Sequence, residues 1–121
     1  MRILSFHSAA VAICAGVLIA SMLSTPARSE DDCRDIERSY DIARADITTV
    51  QTNSALFAAA DRGCEALARR LLAAGASLEA RDRFGAMPLA HAARACQLRL
   101  TKLLLAQGAA IDARNLAGST A

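Results

Sequence analysis

The chain has no tryptophan, and aromatic residues make up 3% of its 121 positions. Its hydrophobic content is nevertheless 54%, most of it alanine and aliphatic side chains. Small apolar side chains with so few rings argue against a β-sandwich and for closely packed helices. No Cys-x-x-Cys pair occurs, which leaves thioredoxin-like redox chemistry and zinc ribbons without support. No glycine-rich phosphate loop occurs either. Beyond residue 29 there is one lysine, Lys102, and one histidine, His91. An excess of either charge is also missing. The formal net charge is +2, but Arg2 and Arg28 precede residue 30, and the remainder carries 12 basic and 12 acidic residues. A general binder of nucleic acid or anionic membrane needs a basic excess, so neither is expected as a partner.

The first 29 residues differ from the rest. Arg2 gives a short positive start, Ala9 to Leu23 is uncharged and apolar, and Thr25-Pro26-Ala27 and Ala27-Arg28-Ser29 offer small residues for cleavage. Glu30-Asp31-Asp32 follows. This reads as a secretory signal peptide over residues 1–29, which places the mature chain in the periplasm or outside the cell. The other reading keeps the segment as an uncleaved inner-membrane anchor. The apolar run is short for a span of ~20 residues, and no later stretch could cross a bilayer. Arginine so far outnumbers lysine that we read a compositional bias, as in a GC-rich bacterium.

The most informative stretch is Asp82 to Arg114. Displaced by 33 residues, its landmarks fall on an earlier copy: Gly108 on Gly75, Ala109 on Ala76, Leu104-Leu105 on Leu71-Leu72, Arg114 on Arg81. Displaced the other way, Asp82 meets Asn115 and Gly85 meets Gly118. A fixed period of this length marks a stack of identical supersecondary units. Within the unit, Pro88 suits the first turn of a helix, where a missing N–H costs nothing. Leu89, Ala92 and Ala93 share one helical face, and Leu100, Leu103 and Leu104 share another. Gly108 is placed to end the second helix in a left-handed cap.

The segment resembles an ankyrin repeat. The family's T-P-L-H-x-A signature reads Met87-Pro88-Leu89-Ala90-His91-Ala92 here, with Thr and His replaced. The resemblance covers Thr52 to Ala121. It implies an all-α solenoid of helix-turn-helix units with β-turn fingers, and a protein–protein interaction module with no catalytic role. The repeats divide as 52–81, 82–114 and the start of a third, 115–121, so the array is expected to continue. Ahead of them, Glu30 to about Asn53 reads as one helix, with Ile36, Tyr40, Ala43, Ile47 and Val50 on its apolar side. Residues 30–51 would then be a capping helix over the first repeat. The alternative is an amphipathic partner helix. Phe57 is expected beneath that cap, beside Tyr40.

Cys33, Cys64 and Cys96 remain after the signal peptide, an odd number in an exported chain. One disulfide is expected, and two pairings are open. Cys64 with Cys96 joins equivalent turns, although these lie roughly 10 Å apart in stacked helices; Cys33 with Cys64 ties the cap to the stack. Cys96 stands where the previous repeat has Gly63, a position that favours a left-handed backbone.

By analogy with the family, the binding surface comprises the finger and groove positions Arg83, Phe84, Arg94, His91, Asp61, Arg62 and Leu116. Phe84, an aromatic at a turn tip that follows Arg81 and Arg83, is the expected anchor, or else a ring folded onto the neighbouring finger. His91 is expected to face the groove. No metal, cofactor or catalytic constellation is expected, and Asp82, Asp112 and Asn115 read as turn residues. The competing function is a thiol-based sensor or enzyme using Cys64 or Cys96.

Overall fold

A computed structural model describes residues 27–121. The expected signal peptide lies outside the described residues except for its last three positions, which open a helix. Five helices follow one another: α1 (Ala27–Ala43), α2 (Thr49–Arg62), α3 (Glu65–Ala73), α4 (Pro88–Arg94) and α5 (Leu98–Ala106). No strand occurs among the described residues. α2 pairs with α3 and α4 with α5. The inner helices α2 and α4 lie side by side, the outer helices α3 and α5 touch less extensively, and α1 packs on α2.

The core is built at the expected spacing. Leu56, Leu71, Leu89, Leu100 and Leu104 are fully enclosed, and Ala59, Ala60, Ala68 and Ala92 let the helices approach closely. Burial of each leucine contributes about 2 kcal/mol relative to exposure. Met87 is buried where the family has Thr, and no buried side-chain polar atom among the described residues lacks a partner. Replacing both members of a buried hydrogen bond removes the cost of orphaning one.

The turns between helices repeat as well. Gly63 ends α2 with φ 75°, and Cys64 N–H donates to the Ala59 carbonyl. Cys96 holds the equivalent position with φ 56°, the only non-glycine at positive φ among the described residues, as its alignment with Gly63 implied. A Cβ at Gly63 would meet only the flexible end of the Gln97 side chain, so the positive φ is what favours glycine there.

One expectation fails. The helix foreseen over residues 30–51 is two helices, because the chain breaks after Ala43 and restarts at Thr49. Thr48 and Gln51 form a capping box: the Thr48 hydroxyl accepts from Gln51 N–H, and Thr48 N–H donates to Gln51 Oε1 at 2.8 Å. These bonds satisfy two groups that a continuous helix would have to satisfy otherwise, and they fix a new helix start. Ile36, Tyr40 and Ile47 still face the core, but Val50 is 74% exposed and Ala43 is exposed.

α1 is held by covalent and ionic ties. Cys33 is bonded to Cys64 with Cα atoms 5.5 Å apart, so the second pairing is the one formed and Cys64–Cys96 is not. Arg62 at the end of α2 pairs with Asp32, while Arg70 on α3 pairs with Glu37 and, at 2.7 Å, with Asp41.

Candidate functional site

The fingers and the inner helices line one side of the stack. Each finger is organised by its first side chain. Asp82 Oδ1 accepts from the N–H groups of Phe84 and Ala86, both at 2.8 Å, and Asp82 N–H donates to the Ala86 carbonyl. Asn115 repeats this in the next finger: its Oδ1 accepts from Ser119 N–H at 2.9 Å, and its N–H donates to the Ser119 carbonyl. The fingers are joined edge to edge. Leu116 N–H donates to the Phe84 carbonyl at 2.9 Å, and Arg81 Nη1 donates to the carbonyls of both Gly85 and Arg114. A stacked, cross-linked finger holds its tip residues in place without a sheet.

Behind the first finger lies a cavity of about 620 Å³. Arg81, Asp82, Arg83 and Phe84 contribute from the finger, and His91 and Arg94 from α4. Val50, Asn53, Ser54 and Phe57 contribute from α2, at helical spacing along one face. Phe84 is 58% exposed, with the Arg83 guanidinium 4.8 Å from its ring centroid. It therefore stands open at the finger tip.

His91 is fixed at the floor of this cavity. It is 7% exposed; Nδ1 lies 2.9 Å from Asp61 Oδ1 and Nε2 lies 3.1 Å from Asp82 Oδ2. The ring of Phe57 packs against it with centroids 5.0 Å apart. Through Asp61 on α2 and Asp82 in the finger, one imidazole ties together two helices and a turn. Burial works against the charged Asp82 carboxylate. The N–H groups of Ala86 and Phe84 and the His91 ring outweigh that penalty and hold it below its ordinary value of 3.8. Both ring nitrogens face carboxylates, so neither is offered to a substrate or to a nucleophile, as general base catalysis would require.

The structure thus brings Arg83, Phe84, His91 and Arg94 around one cavity, with Asp61 behind His91. It does not bring Arg62 there, because that side chain is turned to Asp32 on α1. Leu116 is 82% exposed on the second finger, against Gly85, and does not line the cavity. Phe57 is not beneath α1 beside Tyr40; with α2 starting at Thr49, it points into the groove and meets His91. Asp82 is more than a turn residue, since its second oxygen holds His91. Cys64 is bonded to Cys33, and no described cysteine is a free thiol. Among the described residues, no group of three or more His, Cys, Asp and Glu is placed to share a metal ion, and no helix is long and apolar enough to cross a membrane.

The family comparison agrees with this architecture. The sequence model described as "Ankyrin repeats (3 copies)" matches residues 19–115. The chain belongs to the ankyrin-repeat family, whose repeats are protein–protein interaction modules and generally non-catalytic. The match begins well ahead of Thr52 and takes in α1. No curated protein matches the chain.

Proposed function

We propose that this protein is a non-enzymatic binding module of the bacterial envelope that grips another protein with its first finger and the groove behind it. The observation that carries this reading is the half-exposed Phe84, stacked under Arg83 at the mouth of a preformed cavity. A rigid aromatic beside a guanidinium is the composition of an interface anchor. The committed nitrogens of His91 support a binding role over a catalytic one.

The apolar segment before residue 24 and the cleavage-like sequence after it support export through a signal peptide over residues 1–29. The Cys33–Cys64 disulfide supports an oxidising compartment. Within the mature chain, α1 serves as a cap, covering the apolar side of α2 and fastened there by the disulfide and by Asp32, Glu37 and Asp41. The repeats follow over 52–81 and 82–114, with 115–121 opening the next.

The test is capture of partners from a periplasmic extract, followed by measured affinity for the captured protein. Arg83→Ala with Phe84→Ala should weaken that affinity by ~2 kcal/mol or more while the helical circular dichroism stays unchanged. Undiminished binding by a folded double variant contradicts the choice of face.

A further inference from the structure

The charges of the groove are divided unequally. Its carboxylates are consumed internally, Asp61 and Asp82 both by His91. Of its three guanidinium groups, Arg81 is held by the Gly85 and Arg114 carbonyls, and the other two are not consumed in this way. Arg83 touches the face of Phe84, and Arg94 makes only a 3.4 Å contact with His91 Nδ1; neither pairs with a carboxylate among the described residues. Stacking uses the flat side of a guanidinium and leaves its in-plane N–H donors for a bidentate acceptor. Beside these cations lie Phe84 and, across the cavity, the exposed Val50.

Resting on the reading that this groove is the binding surface, we propose that its occupant is an acidic peptide segment of the partner, with carboxylates flanking one large apolar side chain. The carboxylates pair with Arg83 and Arg94, and the apolar side chain packs between Phe84 and Val50. A peptide fits better than a polyphosphate strand. The groove offers two uncommitted guanidinium groups with Asp61 and Asp82 close behind, whereas a phosphate backbone needs an extended run of cations.

The experiment is selection of a randomised twelve-residue peptide display library on the purified protein, followed by fluorescence anisotropy with the best peptide. The expected result is enrichment of Asp and Glu around a single large apolar residue. Its Asn/Gln counterpart should bind roughly tenfold more weakly, and so should the parent peptide to Arg83→Ala/Arg94→Ala. Enrichment of basic or uncharged peptides, or of none, overturns the proposal. So does a single-stranded DNA of equal charge that binds as tightly as the peptide. Uncharged peptides whose binding is lost in Phe84→Ala would sink the acidic specificity while leaving the groove as the binding surface. Acidic peptides indifferent to all three substitutions would remove both.

Discussion

The junction with α1 and the groove behind the first finger use arginine in opposite ways. On the side facing α1, Arg62 and Arg70 are spent on Asp32, Glu37 and Asp41, and a disulfide closes the same junction. In the groove, Arg83 and Arg94 have no carboxylate partner among the described residues, while the nearby aspartates are turned inward to His91. A charge whose partner lies in the same chain is spent on holding elements together. A charge left over on a rigid, partly aromatic surface is available to something outside the chain.

Breaking the scaffold side should have the largest effect. Cys33→Ser with Cys64→Ser opens a link spanning 31 residues and should lower unfolding free energy by about 3 kcal/mol, read by urea denaturation. Next is Gly63→Ala, which puts a Cβ on a backbone at a φ of 75°. Its expected cost is roughly 1–2 kcal/mol, and a thermal melt measures it.

The groove floor should respond more modestly, and in a pH-dependent way. Asn115 shows that an amide can organise a finger as a carboxylate does, so Asp82→Asn should keep the turn and lose the acceptor for His91. At neutral pH a cost of ~1 kcal/mol is expected. Because the folded-state pKa of Asp82 lies below its ordinary 3.8, its contribution is fully present above that value. It is lost as pH falls through the lower folded value. The difference between variant and parent should therefore shrink in acid, and stability measured from pH 7 downward checks it. Smallest of all is Asp31→Asn. Its ion pair with Arg34 is 67% exposed at both side chains, and its removal should change stability by less than about 0.5 kcal/mol.

The repeat period carried most of the fold into view from sequence, because Gly63, Gly75, Gly85 and Gly108 mark turns that only a repeating backbone requires. Pro88 and the paired leucines then set the helices of the second unit. The first unit was less legible. Ile36, Tyr40, Ile47 and Val50 keep a helical rhythm across a break, so periodicity alone joins α1 to α2. The signal that separates them was present in Thr48-x-x-Gln51. Applying it rephases α2 and puts Val50, Asn53, Ser54 and Phe57 on one face, which is the groove. The position of His91 was legible, but its two aspartates were not. Asp61 is 30 residues away and Asp82 is nine, and each has a sufficient local reason to be polar, at a helix end and a turn. Arg62 was assigned to the groove by alignment with neighbouring repeats, and the alignment carries no record of Asp32 on the added helix.

The proposed meeting place with the partner is the first finger and its groove, and not the α1 face. Amide hydrogen exchange of the protein alone and with its captured partner tests it most directly. Added protection is expected in residues 50–57 and 82–86, with α1 unchanged. Protection confined to α1, with the first finger exchanging as it does in the free protein, would contradict it.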